Sequence, residues 1–571
     1  MIPMRIGPLV RAASPSTVVV WAEFHQPGLV TLSARPSDAS STAASTVSSH
    51  TVNVGGRHYI ALQLTNLQPA TWYTYHLDSS ADQPLPASAH TAQQSLRPLR
   101  YQCFRTLEAQ TEHLAPTQKS PLRIAYGSCR DLRVPEHDAF SAFGAWLLER
   151  FLARDTQWPH LLLLIGDQIY ADEPSAGLLQ HYPHLRKGAQ TFEDFACMYT
   201  YSWTSDEQVR QVLATLPTYM IFDDHEITNN FNISPTWRAR AIHRGWEALL
   251  VDGLAAYWIY QGWGNLYQRE PSQHPLLHIM QTAALTGEDA LEALRACISS
   301  AIREQSRLPW YYDIPTQPSI FVMDVRADRP AIFDSQAPFT ESPTSIMHPQ
   351  QMEQLASWLY EKNRAPVLLV SSVPVLLPPL IGLAEYLMGI RPFYKRIAPL
   401  RRLGHYLARL QHKLAMGTSF DHWPIFNTTW HKLVDILAKR RQHILVLSGD
   451  VHFSYAMQAQ HTHKTLRTAH LYQLVSTPLQ NELSPKNRRL ILGQAWLHRA
   501  TYGGLRTHML PMYTGNYKQR VPHNMLLQTT IAMVTLQLQA NGNYKIQQEY
   551  LGFIEGKMAV VGRTIIEPPG N

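Results

Sequence analysis

A chain of 571 residues exceeds what one hydrophobic core organises, so roughly two to four domains are expected. Its 45% hydrophobic and 16% charged residues describe an ordinary globular protein, no stretch reads as an uninterrupted membrane span, and four cysteines at no repeated spacing argue against a disulfide framework. The formal net charge of +7 favours anionic partners without naming one.

The opening residues Met1 to Arg11 lack the basic start, apolar middle and small-residue cleavage site of a secretory signal, so a cytoplasmic location is expected, with non-classical export as the alternative. Residues 1–118 read as an all-β domain. Thr17–Phe24, Tyr59–Leu64 and Trp72–Leu77 are β-branched or aromatic runs separated by turn formers. Leu67, Pro69, Thr71 and Tyr73 have the spacing of a tyrosine corner, in which the phenol bonds back to the backbone of a β-sandwich. Ser37 to Thr51, rich in Ser, Thr and Ala, is expected to be a loop, and Glu108 to Pro121 a linker.

From residue 119 to 571 apolar strands alternate with longer helical stretches, the pattern of one large α/β domain. Predicted strands are Leu122–Tyr126, Leu161–Ile165, Thr218–Phe222, Ile320–Met323, Val367–Val370, Ile444–Leu447 and Leu471–Val475. Predicted helices include Ala139–Leu152, Trp237–Trp258 and Gln350–Tyr360. Near the C-terminus, Ala540-Asn541-Gly542-Asn543 between two alternating runs is a hairpin signal. The proline-broken apolar piece Val373–Ile390 precedes a basic stretch, 391–413, that has seven cations and no acid. A lid or docked surface helix is one reading, and peripheral contact with an anionic membrane or a polyanion is the other.

Four of the strands end in residues that carry chemistry. The first runs into Ser128-Cys129-Arg130, the second into Gly166-Asp167 with Tyr170 following, the third into Asp223-Asp224-His225-Glu226 with Asn229 and Asn230 beyond, and the late strand into Ser448-Gly449-Asp450-Val451-His452. Carboxylates and a phenol suit hard cations, and open α/β sheets keep their sites at the carboxyl ends of strands. Any one of these clusters alone reads equally as a helix cap, a core histidine or a buried ion pair. Four of them together argue for one site.

This set resembles the alkaline phosphatase D family of metallophosphatases, a branch of the calcineurin-like phosphoesterase fold. Ile320–Arg329 is similar to a further family stretch, through Asp324, Arg326 and Arg329. The resemblance implies a four-layer α/β/β/α metallophosphatase sandwich preceded by a fibronectin type III-like β-sandwich, and Fe3+ and Ca2+ as cofactors. By the same resemblance Cys129, Tyr170 and His452 sit on iron, Asp167 bridges, and Asp224 and Asp450 face calcium. It implies hydrolysis of phosphate mono- or diesters by in-line attack of a metal-bound hydroxide, with His225 as leaving-group acid, oriented by Glu226 or Asp223.

Arg130 is expected either to fork onto phosphate or to form a structural ion pair, and Asn229 and Asn230 to hold substrate or calcium or to cap a helix. Asp324, Arg326 and Arg329 suit a buried ion-pair network. His422 and Trp423 line the pocket or belong to the core, and Cys103, Cys197 and Cys297 read as small buried residues. A phosphate ester is the expected partner, and no specific nucleic acid is. The alternatives are a phosphatase for lipid headgroups or polyphosphate, and a non-catalytic interaction protein that keeps the metal site as a brace.

Overall fold

β-branched and aromatic runs at the start of the chain pair as antiparallel ribbons in the computed structural model. The structure describes residues 2–38, 44–81, 96–109, 119–134, 137–153, 157–270, 273–333, 345–390, 420–462 and 469–568. One four-stranded sheet runs in the order Met4–Ala13, Val18–Phe24, Arg57–Leu64, Val52–Val54, and a second in the order Ser45–His50, Gly28–Pro36, Trp72–Ala81, Cys103–Arg105. The tyrosine-corner bond forms, with the Gln68 amide donating to the Tyr73 hydroxyl at 2.8 Å.

Ser45–His50 corrects the expected loop. It lies at a sheet edge and pairs with Gly28–Pro36, so backbone bonds hold it although half its side chains stay in solvent.

Val18–Phe24 is buried on both faces because its outer face meets the rest of the protein. Trp21 packs at 6.4 Å from Trp203 and 5.6 Å from Tyr260. Arg11 donates to the Tyr260 and Gln261 carbonyls at 2.9 and 2.7 Å. Those carbonyls belong to a π-helical turn, Trp258–Gly262, whose wider winding leaves acceptors to be satisfied from outside.

Two larger sheets follow. The six-stranded one runs Thr218–Ile221, Leu161–Ile165, Leu122–Gly127, Ile531–Leu538, Tyr544–Ile554, Lys557–Ile566. Its first three strands are parallel, so their carboxyl ends share one rim. The expected hairpin completes it, closed by Gln539 donating to the Asn543 carbonyl at 2.8 Å. The nine-stranded sheet contains a parallel run of Ile320–Val322, Val367–Ser371, Ile444–Ser448 and Leu471–Val475.

Alternation along these strands divides the sheet's two faces. Leu368, Val370, Leu445 and Leu447 join the core that includes the six-stranded sheet. Val367, Leu369, Ile444 and Val446 join a second core with helices Pro349–Glu361 and Asn427–Lys439. Across the sheets the Tyr550 hydroxyl donates to the Tyr455 carbonyl at 3.1 Å.

The helix Ala139–Leu152 forms as expected, whereas Trp237–Trp258 breaks into Trp237–His243 and Glu247–Tyr257. Gly245, at φ +83°, ends the first piece in the left-handed conformation that glycine accepts without penalty. No helix of the described residues is long and apolar enough to cross a membrane. The basic stretch 391–413 and most of the Glu108 to Pro121 linker lie outside the described residues.

Candidate metal centre

The shared rim gathers the strand-end residues. Asp167 follows Leu161–Ile165, Asp224 follows Thr218–Ile221, and Asp450 arrives from Ile444–Ser448 in the other sheet. One oxygen from each lies within 4.8 Å of the others. The two sheet ends come this close because Gly449 has no side chain: a Cβ there would sit 2.1 Å from Ser128 Oγ. That hydroxyl accepts from the Asp450 amide at 3.1 Å. The Cys129 thiol donates to the Asp450 carbonyl at 3.6 Å. Tyr170 stacks on His225 with ring centroids 4.1 Å apart, and His452 lies in the field of Asp450, Asp224 and His225.

Backbone conformation marks the same residues. Cys129, Asp167, Asp450 and His452 all have φ between 55 and 68°, as does Asn230 at 61°. For residues other than glycine this costs on the order of 1–3 kcal/mol each and persists where the surroundings impose it, commonly at functional sites.

The charges explain what the cluster requires. Burial, with Asp223, Asp224 and Glu226 nearby, pushes the Asp167 carboxyl well above its usual range against the pull of His225. Burial likewise raises the Cys129 thiol and the Tyr170 phenol, with Asp167 adding to both. Asp450 goes the other way: burial would raise it, but the His422 hydrogen bond and the charges of His422, Arg326 and His452 hold it down at about 2.

Asp172, which sequence reasoning missed, holds the proposed acid. Its Oδ1 lies 3.2 Å from His225 Nδ1, and its Oδ2 accepts from Thr228 Oγ1 at 3.2 Å and the Asn229 amide at 2.7 Å. Burial would lower the His225 pKa, but Asp224, Asp172 and Asp167 raise it to about 10.

The expected orienting residues do other work. Glu226 accepts from the amides of Asp167, Gln168 and Asp223 at 3.2, 2.8 and 2.8 Å, stitching two strand ends together. Asp223 takes Arg326 Nε at 2.7 Å. Arg326 also reaches Asp421, which Arg329 meets at 3.3 Å, and Asp324 accepts the amides of Arg326, Ala327 and Asp328. Arg326 and Arg329 thus form the expected buried ion-pair network, but with Asp223 and Asp421 as its acids, while Asp324 binds backbone amides instead.

Arg130 does not reach the rim. It is 3% exposed, with Nε and Nη2 on Asp138 at 2.8 Å and Nη1 on the Ser202 carbonyl at 2.6 Å. Asp138 in turn caps the helix Ala139–Leu152, so the guanidinium ties the Cys129 loop to that helix. Its donors are committed to structure, which corrects the catalytic and phosphate-binding roles in favour of the ion pair. Asn229 is exposed beside His225, and the Asn230 amide donates to Asp224 Oδ2. Neither caps a regular helix.

Against known proteins, the model of the PhoD-like phosphatase family matches residues 124–500, a span that contains every residue of this cluster. The chain belongs to the PhoD-like phosphatase family. Membership places it among the phosphoric ester hydrolases. A domain of unknown function, DUF7800, matches residues 1–96. The solved structure of PhoD superposes with a TM-score of 0.60 at 14% identity, covering 99% of this chain and 93% of that one, so the mixed α/β fold is shared. A Bacteroides uniformis β-glucuronidase reaches a TM-score of only 0.19 at 8% identity, over 98% of this chain and 61% of that one, and bears on nothing further. No curated protein matches in sequence.

In this PhoD-like chain the donor set fits cations. Asp167 Oδ2 is buried and has no hydrogen-bond partner among the described residues, although it faces two other carboxylates. A positive ion satisfies that atom and offsets the crowded negative charge.

His422 supports the site from behind, with Nε2 3.1 Å from Asp450 Oδ2 and Nδ1 2.6 Å from Glu385 Oε1. It therefore touches the centre, whereas Trp423 is core, its indole donating to Ser371 Oγ at 3.1 Å. Glu385 is fully buried on helix Pro379–Gly389, so the apolar piece before residue 391 docks onto the body as a helix. Cys103 and Cys197 are buried and Cys297 half-buried, all as free thiols.

Proposed function

We propose that the protein hydrolyses phosphate mono- or diesters at a pair of cations, with His225 donating the leaving-group proton. The observation that carries this reading is the convergence of Asp167, Asp224 and Asp450 on one point, with His225 beside them. Cys129, Tyr170 and His452 would make up the iron side, thiolate and phenolate being strong donors to Fe3+, and Asp224 and Asp450 the oxygen side suited to calcium, with Asp167 between them. Bound there, the cations would supply Lewis acidity, lowering the pKa of water and neutralising phosphoryl oxygens.

The chain's own residues do the rest. Asp172 holds the His225 ring by its Nδ1, and its carboxylate favours the protonated imidazole that would meet a departing alkoxide. Asn481 donates to the Tyr170 hydroxyl at 2.9 Å and aims the phenol. Substrate contact is assigned to Asn229, exposed next to the Asp172–His225 pair, and to Asn230, whose amide bonds Asp224.

The architecture is read as residues 1–118 forming a fibronectin-like sandwich and residues 119–571 a four-layer α/β/β/α catalytic domain, in a cytoplasmic protein. The test is hydrolysis of p-nitrophenyl phosphate and its bis-ester by the purified protein, alongside elemental analysis. Activity that requires the metals, with a loss in His225→Asn that is larger on alkyl phosphates than on the nitrophenyl esters, supports the reading. Full activity of the His225→Asn protein on esters with poor leaving groups refutes the acid role.

A further inference from the structure

Between Glu482 and Glu549 the sequence has no acidic residue, yet it holds Lys486, Arg488, Arg489, Arg499, Arg506, Lys518, Arg520 and Lys545. Five of these are exposed on one helix and on the edge hairpin that directly follows it. Lys486, Arg488 and Arg489 lie on helix Pro485–Gln494 and are exposed. Arg499 and Arg506 stand on the outer face of the edge hairpin that follows, where Arg499 is opposite His508 and Thr501 opposite Arg506. Among the described residues no carboxylate pairs with any of the five.

Large apolar side chains stand among these cations. Leu483, Ile491 and Ala495 pack inward on the core beneath the nine-stranded sheet and fix the helix in place. That orientation leaves Leu490 71%, Leu492 37% and Trp496 70% exposed. A rigid helix offering leucines and a tryptophan amid unpaired Lys and Arg has the composition of an interfacial segment: the cations meet anionic headgroups and the apolar side chains enter the acyl boundary. A protein partner would more commonly bring carboxylates against a face with fewer lysines and more shape.

The geometry points to helix Pro485–Gln494 and the hairpin Arg499–Met509 as a docking surface for an anionic phospholipid bilayer. The surface adjoins the metal centre, since Asn481, which bonds Tyr170, lies three residues before the helix cap Ser484. A docked protein would therefore hold the catalytic rim near the headgroup layer. The docking itself involves no turnover, so it is measured independently of hydrolysis.

The test is co-sedimentation of the full chain with vesicles of phosphatidylcholine alone or mixed equally with phosphatidylglycerol. Binding is expected only to the mixed vesicles and is expected to fall on raising the salt. The variant Lys486→Gln/Arg488→Gln/Arg489→Gln should lose about fivefold in partitioning per charge removed. Leu490→Ser/Trp496→Ser should also release the protein, with circular dichroism and p-nitrophenyl phosphate hydrolysis unchanged. The inference is overturned if the wild-type chain stays in solution with anionic vesicles, or if both variants sediment like wild type. It is also overturned if light scattering shows a dimer that Leu490→Ser/Trp496→Ser dissociates, which would assign the face to a second copy of the chain.

Discussion

Asp172 Oδ1 lies 3.2 Å from His225 Nδ1, while the other face of the arrangement is the Tyr170 ring stacked on the imidazole. The histidine is thus held at one nitrogen and along one ring face, leaving Nε2 to transfer a proton. His225→Asn is expected to slow hydrolysis of alkyl phosphates by roughly 10²–10⁴-fold. Hydrolysis of p-nitrophenyl phosphate, whose leaving group needs no proton, should fall far less. Asp172→Asn should give a smaller loss with the same dependence on leaving group. The kcat ratio between the two substrates checks both.

His225, with Asp224 and then Asp172 raising its pKa, also sets a pH dependence of stability in metal-free protein. The His225 pKa is raised in the fold to about 10 from an unfolded value of about 6.5. Its stabilising contribution is therefore fully present below the unfolded pKa and lost as pH rises through the folded one. Denaturation midpoints of chelator-treated wild type should fall between these values more steeply than those of His225→Asn, and the difference between the two curves isolates this residue.

Asp167→Asn should uncouple stability from metal binding. The carboxyl is raised well above its ordinary range by burial and by neighbouring carboxylates, and asparagine tolerates φ +55° better than aspartate. Without metals the variant should be more stable than wild type by about 1–3 kcal/mol, the scale of relieving a buried unsatisfied group. With metals supplied it should bind them poorly and be inactive. Thermal melts with and without chelator decide this.

The strands and the three converging carboxylates at their ends were legible in the sequence because both obey local rules. Five aliphatic residues from Leu161 to Ile165 cannot be exposed, and the polar residues after them must stand at the strand's mouth. The groups that steer those ligands are not local. Asp172 carries no motif beyond being a carboxylate two residues after Tyr170. His422 and Glu385 come from separate elements that meet only through packing of helix Pro379–Gly389. The choice between the two readings of Arg130 was closed to sequence for a related reason: only the fold shows that Asp138, which caps a helix, also closes an ion pair with it. The edge strand Ser45–His50 escaped because it buries too little for any hydrophobic pattern to record it.

Arg130 and His422 separate structural from metal-directed roles. Arg130→Gln leaves Asp138 without its charge partner and should cost roughly 3 kcal/mol of stability with KM for p-nitrophenyl phosphate unchanged. His422→Asn strips two buried carboxylates, Asp450 and Glu385, of their shared partner and should also cost metal-free protein roughly 3 kcal/mol, but unlike Arg130→Gln it should weaken metal affinity about 10–100-fold, as loss of a group that orients a ligand does. Chelator competition measures the second effect.

Metal content compared with activity is the most direct measurement. Purified protein should hold two metal ions per chain, with the iron-to-phenolate colour present in wild type and absent in Tyr170→Phe. Hydrolysis of p-nitrophenyl phosphate should vanish on chelation and return when the metals are restored. Protein stripped of metal that still turns over this ester at its original rate would contradict the assignment of Cys129, Asp167, Tyr170, Asp224, Asp450 and His452 to a metal centre.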